Sequence, residues 1–157
     1  MINNQQYLDK TRGSFGKLGS IAGNGCGAIA MTNICLMEKK QVDLDKMIRK
    51  ILSYCDGVLA GGALGTNPIV VPRIMKSFGF KVKYLGNLKS INQLKNYKYF
   101  IVLYTWKNKA QLGAHYQAGR LLNNQLELFN PYAVYDSVEE FKHGESAICP
   151  VVYGVNI

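Results

Sequence analysis

A run of small and apolar residues from Cys26 to Met37 constrains the fold of this chain more than any other feature of its sequence. Helices that lie on a protein surface carry a polar face that recurs about every 3.6 residues, and this run has no such face. A helix that is apolar on nearly all sides is buried. The sequence therefore predicts a buried helix over residues 26–37, with Asn24 as its N-terminal cap. Residues before Gly25 are polar and rich in glycine, which predicts an extended lead-in.

The order of the remaining elements predicts an α+β fold. A helix that begins at Asp43 or Asp45 and ends at Cys55 has the apolar spacing of one buried face, and a short helix follows from Asn67 to Ser77. The glycine-rich segment 57–65 lacks the Gly-Lys-Ser/Thr ending of a phosphate-binding loop and predicts an ordinary loop. Residues rich in β-formers then predict strands over Lys81–Leu85, Tyr99–Thr105, His115–Leu122, Gln125–Phe129 and Cys149–Val155, with a brief helix that Ser137 and Glu140 start around Phe141. Helices first and an antiparallel sheet second is the α+β pattern.

Length and composition indicate one folded domain over residues 1–157, with 48% hydrophobic and 18% charged residues. The sequence shows no signal peptide and no run of apolar residues long enough to span a membrane, so we expect a cytoplasmic protein that makes no membrane contact. Action on the cell wall would require release by a non-classical route. The four cysteines form no CxxC pair, and we expect no metal and no cofactor. Cys35, Cys55 and Cys149 are predicted to be small core residues with free thiols.

The formal net charge of +9 is unevenly distributed. Between Gly57 and Leu126 the sequence has ten basic residues and no acidic one, whereas from Glu127 onward it has five acidic residues and one lysine. This asymmetry favours an anionic partner such as an acidic peptide or cell-wall material, although a solvated lysine surface would have the same composition. The basic residues are scattered singly without aromatic motifs, so a specific nucleic-acid partner is not expected.

Cys26 differs from the other three cysteines in its position. It begins the buried helix, where the partial positive charge of the helix N-terminus favours a thiolate over a thiol. Gly25 and Gly27 flank it and leave room for the backbone of a substrate, and the free amides of the first turn are suited to hold an oxyanion. Cys35, nine positions further on, falls on the opposite side of the helix. Cys26 is therefore the candidate nucleophile.

A thiol nucleophile needs a general base and a group that orients that base. His115 is predicted at the start of a strand, and Asn130 at the end of the next one. A hairpin that turns at Asn123 and Asn124 brings these two strand ends together, so the two side chains are expected to meet.

These motifs resemble those of papain-like cysteine peptidases, and most of all the bacterial branch that processes bacteriocin leaders at a double glycine. The segment from Gly25 to Met31 is similar to the nucleophile helix of that branch, Gly113–Tyr116 to its approach to the catalytic histidine, and Phe129–Tyr132 to its Asp/Asn-Pro element. The resemblance covers nearly the whole chain in the same order. It implies a papain-like fold whose nucleophile helix packs on an antiparallel sheet. It also implies cleavage of a peptide or isopeptide bond through an acyl-enzyme, with Cys26 as nucleophile, His115 as base and acid, and Asn130 as orienting residue.

The chain departs from the pattern of this family at the side chain that donates a hydrogen bond to the oxyanion. Many relatives have a glutamine six residues before the nucleophile, and this chain has Ser20 there. Ser20 or Asn24 is a candidate replacement, or the backbone amide of Cys26 acts with little help. Loss of one oxyanion donor costs on the order of 10²–10³ in rate. Two alternatives therefore stay open, which are a catalytically weak domain that binds peptides and a transferase that uses the same three residues with an amine as acceptor.

Overall fold

The computed structural model describes residues 1–5, 13–107 and 111–157. The sequence predictions for residues 6–12 and 108–110 lie outside this part. The helices are α1 (Ile21–Asn24), α2 (Cys26–Met37), α3 (Leu44–Leu52), α4 (Val71–Ser77) and α5 (Val138–Gly144), with 3-10 turns at Ala60–Gly62, Pro68–Val70 and Ile91–Leu94. The strands are β1 (Ser14–Phe15), β2 (Gly19–Ser20), β3 (Lys81–Asn87), β4 (Tyr99–Lys107), β5 (Leu112–Leu122), β6 (Gln125–Phe129), β7 (Ala133–Tyr135) and β8 (Ala147–Asn156). The α+β prediction is thus confirmed.

Six strands form one antiparallel sheet in the order β3-β8-β4-β5-β6-β7, and β1 and β2 form a separate hairpin. The turn between β5 and β6 is the predicted one. Asn123 and Asn124 have φ angles of 52° and 62°, a left-handed conformation that asparagine tolerates better than most residues. The register of β5 on β6 therefore follows from this turn, with Leu122 opposite Gln125.

Helix α2 packs against β5 on one face of the sheet, and its bounds match the prediction. All residues from Cys26 to Cys35 are buried, which explains why this helix has no polar face. The apolar residues of α3 and α4 join the same core, whereas Phe141 of α5 belongs to a second core on the opposite face. Because strand side chains alternate, Tyr116 of β5 faces the α2 core and Tyr104 of β4 faces the α5 core.

Several sequence predictions are corrected by the structure. The lead-in before Gly25 contains the β1–β2 hairpin and α1, and the residue that caps α2 is Gly25 rather than Asn24. Helix α3 ends at Leu52, three residues before the predicted end at Cys55. Cys35 is buried as predicted, but Cys55 and Cys149 are exposed, so these two are not core residues.

The described helices are all too short or too polar to cross a membrane.

Candidate active site

Cys26 lies at the first position of α2 with its side chain almost fully covered. Its exposed fraction is 7%. Gly25, the capping residue, provides no side-chain hydrogen bond, so the amides of the first turn are not occupied by a cap. The backbone amides of Tyr116, Gly27 and Cys26 itself lie near the sulfur and favour its charged form. Three amides thus converge on the thiol.

Burial and these amides act in opposite directions on the Cys26 thiol. Burial raises its pKa because the charged thiolate loses hydration, and the hydrogen bonds from the amides of Tyr116, Gly27 and Cys26 lower it. Burial is the larger effect, so the pKa of Cys26 lies above its ordinary value. Burial therefore outweighs the effect expected from the helix N-terminus. At neutral pH the group is a thiol that a base must deprotonate.

The Cys26 thiol lies against the part of β5 that is not paired with β6. Strand β6 pairs with β5 only from Ala118 to Leu122, and among the described strands the first half of β5 is paired with β4 alone. The amide of Tyr116 lies just before Ala118, and it is this amide that the Cys26 sulfur contacts. The same peptide unit joins Tyr116 to His115, whose side chains leave the strand on opposite faces. The candidate nucleophile and the candidate base therefore meet the same peptide unit of β5.

His115 is the fourth residue of β5 rather than the first, and its ring has a fixed orientation. Nε2 lies 2.6 Å from the backbone carbonyl oxygen of Asn130. A carbonyl oxygen can only accept a hydrogen bond, so Nε2 carries the proton and Nδ1 is the acceptor nitrogen of the ring. Burial lowers the pKa of His115, while the Asn130 carbonyl and Glu145 raise it to a lesser extent. The imidazole is thus neutral and able to act as a base near pH 7.

Asn130 contacts His115 through its backbone and not, as predicted, through its side chain. Its φ of 78° lies in the left-handed region, and its peptide bond to Pro131 is cis. The side chain is buried, and Oδ1 accepts a 2.8 Å hydrogen bond from the backbone amide of Gln5. Nδ2 donates to the Gln5 side-chain oxygen at 3.2 Å. The orienting contact to the imidazole is consequently made by the carbonyl, which any residue in this conformation would supply.

Gln5 is a site residue that the sequence analysis missed. It is 8% exposed, and besides its two hydrogen bonds to Asn130 its Nε2 donates to the carbonyls of Ile21 and Ala22, at 3.1 and 2.8 Å. It therefore fastens Asn130 to α1, the helix that precedes the candidate nucleophile. Nothing local in a polar N-terminal segment indicates such a role, because all of its partners are distant in sequence.

The two candidate side-chain donors for an oxyanion are engaged in local hydrogen bonds. Ser20 caps α1, and its hydroxyl accepts from the Gly23 amide at 3.0 Å. Asn24 accepts from the Ser20 amide at 3.0 Å and donates to the Ala63 carbonyl at 2.6 Å. Asn24 would have to release Ala63 to become a donor for a bound group. The assignment of either residue as an oxyanion donor stays a prediction.

An open cleft of about 410 Å³ adjoins His115. It is lined by Asn4, Gln5, Ala22, Gly23, Trp106, Ala114, His115, Asn130 and Pro131. The Trp106 ring lies against Gly113, where an added Cβ would come within 2.5 Å of the indole. Gly113 is thus required for this wall of the cleft. Within the described ranges, no group of three or more His, Cys, Asp or Glu residues is placed to hold a metal ion.

No family model matches this chain, and no curated protein matches it significantly.

Solved structures, in contrast, share its fold. The peptidase domain of Streptococcus ComA, a bifunctional ABC transporter of a quorum-sensing pathway, has a TM-score of 0.55 and 13% identity over 82% of this chain and 90% of its own. A double-glycine-motif protease from an AMS/PCAT transporter, solved with its leader peptide, has a TM-score of 0.52 and 17% identity over 83% and 82%. The peptidase domain of Streptococcus mutans ComA has a TM-score of 0.50 and 16% identity over 85% and 93%. The chain therefore has the papain-like fold of double-glycine peptidase domains.

Proposed function

We propose that this chain is a cysteine peptidase, or a related thiol amide hydrolase, in which Cys26 is the nucleophile and His115 the general base and acid. The observation that carries the proposal is that the backbone amide of Tyr116, in the peptide unit that joins Tyr116 to His115, acts on the Cys26 sulfur, while the Asn130 carbonyl fixes the His115 imidazole. The shared fold with peptidase domains supports the same reaction class. We further propose that residues 1–157 act as one catalytic domain.

Acylation begins with a neutral Cys26 thiol and a neutral His115 imidazole, since burial raises the pKa of Cys26 and lowers that of His115. Nδ1 of His115 takes the thiol proton as the sulfur attacks the carbonyl carbon of the scissile amide. The carbonyl oxygen becomes an oxyanion, and the amides of Cys26 and Gly27 are the proposed donors to it. Ser20 and Asn24 are the side-chain alternatives. The imidazolium then protonates the amine, the carbon–nitrogen bond breaks, and a thioester on Cys26 remains.

Deacylation reverses these roles. His115 takes a proton from water as the water attacks the thioester, and it returns a proton to the sulfur as the acid product leaves. Asn130 has the same task in both halves, because its carbonyl accepts from Nε2 whether the ring is neutral or charged. An amine that enters the cleft in place of water would make the same chain a transferase.

The proposed substrate is a peptide. A leader peptide occupies the related PCAT protease, and the cleft beside His115 has small residues, Ala22, Gly23 and Ala114, on its walls. Small walls favour an extended peptide with small side chains near the cleaved bond. The excess of basic residues between Gly57 and Leu126 favours acidic residues elsewhere in the substrate, or an anionic cell-wall fragment.

A second function, peptide binding without cleavage, is favoured by one specific observation. The thiol is 7% exposed and its pKa is raised, so a substrate must reach a covered sulfur that is not ionised at rest. Such a protein would bind peptides in the cleft beside His115 and leave them intact.

Peptide cleavage distinguishes the two functions. A library that contains peptides with Gly-Gly, acidic peptides and peptidoglycan fragments is incubated with the protein and its products are identified by mass spectrometry. We expect cleavage that Cys26→Ala and His115→Ala each abolish. Cys35→Ala is the matched control, because it removes a buried thiol of the same helix. Binding of library members without cleavage would establish the second function, and release of an amide in the presence of added amines would establish transfer.

A further inference from the structure

Glu145, the residue that follows α5, is held by two tyrosine hydroxyls. Tyr104 of β4 donates to one carboxylate oxygen and Tyr135 of β7 to the other, both at 2.8 Å. The ring of Phe141 contacts both tyrosine rings edge-on, with centroids 5.3 and 5.7 Å apart. The carboxylate is therefore fixed by residues of two strands and supported by the helix.

Tyr104 connects this carboxylate to the candidate active site. It is 2% exposed and lies directly opposite His115 in the β4–β5 pair. The two rings meet edge-on with centroids 5.9 Å apart at 77°. One side of Tyr104 thus contacts the imidazole, and its hydroxyl contacts Glu145.

Among the described residues, Glu145 is the charged side chain that acts on His115. The hydrogen-bond partner of the His115 ring in the described residues is the carbonyl of Asn130, which is neutral. The titratable groups that act on this region are Tyr104 from β4, Tyr135 from β7, Glu140 from α5, Cys26 from α2 and Glu145 itself. Burial raises the pKa of both tyrosines, so they stay neutral hydrogen-bond donors. Glu145 is the carboxylate that acts on His115, and it raises the pKa of the imidazole.

We propose that Glu145 is a positioning residue for the reaction, whose carboxylate acts through Tyr104 to stabilise the His115 imidazolium and to hold its ring in place. The proposal rests on the proposed function of Cys26 and His115. When His115 takes the thiol proton, a positive charge forms in a covered site that water solvates poorly. The hydrogen bond that His115 Nε2 donates to the Asn130 carbonyl becomes stronger when the ring is charged, and Glu145 provides the compensating negative charge.

The test removes the negative charge of Glu145 and keeps the shape of its side chain. Glu145→Gln retains an oxygen acceptor for one tyrosine hydroxyl and removes the negative charge. Glu139→Gln is the matched control, since Glu139 is exposed on α5 and its loss changes the net charge equally. The pKa of His115 is read by NMR titration of its ring protons, assigned with a His143→Gln variant because the chain has two histidines. The pH profile of kcat/KM is measured for the same proteins.

We expect the pKa of His115 to fall by about one unit in Glu145→Gln and to be unchanged in Glu139→Gln. Loss of the carboxylate disfavours the charged ring, so the acidic limb of the kcat/KM profile moves to lower pH. The plateau falls about tenfold because the imidazolium of the transition state is less stabilised. A structural role alone would lower the plateau and leave the limb in place.

An unchanged pKa of His115 in Glu145→Gln would overturn the proposal. If that variant fails to fold, Tyr135→Phe loosens the carboxylate without touching His115, and the pKa is then expected to fall by a smaller amount; no fall would again overturn it. The NMR titration needs no substrate. A shifted pKa in a protein that cleaves nothing would therefore refute the proposed function and leave the coupling between Glu145 and His115 intact.

Discussion

Replacement of Gln5 by alanine tests whether the N-terminal segment is part of the site. The side chain makes three hydrogen bonds, two to the carbonyls of Ile21 and Ala22 and one from Asn130. Each contributes about 0.5–1.5 kcal/mol to folding, and the amide of Asn130 would lose a buried partner. The 8% exposure of Gln5 admits some water to the vacated space. We expect the free energy of unfolding to fall by roughly 2–4 kcal/mol.

Urea unfolding followed by circular dichroism measures this loss, and thermal unfolding should show a fall in Tm of about 6–12 °C for a chain of this size. Gln41→Ala is the control, because Gln41 is exposed and its loss should cost less than about 0.5 kcal/mol. Activity of Gln5→Ala should fall as well, since Asn130 is no longer fastened to α1. A loss of stability equal to that of the control would show that these hydrogen bonds do not stabilise the fold and would remove Gln5 from the site.

Three further predictions concern the walls and thiols of the site. Gly113→Ala places a Cβ within 2.5 Å of the Trp106 ring, so kcat/KM should fall at least tenfold while the fold is retained by circular dichroism; unchanged kinetics would show that this wall does not contact substrate. Asn130→Gly keeps the carbonyl and suits a φ of 78°, so it should lose no more than about tenfold in kcat, whereas a loss above 10² would assign the orienting role to the side chain. In a Cys26→Ala protein, a thiol reagent at pH 8 should modify Cys55 and Cys149 rapidly and Cys35 only in denaturant, as counted by intact mass, and a third fast-reacting thiol would contradict the burial of Cys35.

The parts of the fold that were predictable from the sequence are those fixed by local pattern. The bounds of α2 follow from an unbroken apolar run, and those of β6 from the two asparagines that turn the chain before it. The order of helices and strands was sufficient to indicate the α+β class. Cys26, His115 and Asn130 were proposed as site residues because each was predicted at the beginning or end of an element.

The parts that were not predictable depend on contacts between distant residues. Helix α1 has four residues, too few to be stable alone, and two of its carbonyls are held by Gln5. Whether a helix N-terminus yields a thiolate depends on how much water the fold leaves at the sulfur, and a sequence does not report that balance. The same holds for the side chain of Asn130, which turned to Gln5 rather than to His115.

The exposure of Cys55 and Cys149 illustrates a different limit. Free cysteines are buried in most proteins, so composition favoured a core position for both. Cys55 instead follows the end of α3, and Cys149 lies within β8 with a φ of 48°. Experiments on the nucleophile should accordingly use a protein in which both exposed thiols are replaced by serine.

Trapping of the acyl-enzyme tests whether Cys26 is acylated with help from His115. The protein with Cys55→Ser and Cys149→Ser is mixed with a peptide nitrophenyl ester, quenched in acid and analysed by intact mass and peptide mapping. We expect one acyl group per chain, on Cys26, that forms at least a hundredfold more slowly in His115→Ala. Absence of the adduct, or an equal rate of acylation in His115→Ala, would contradict this expectation.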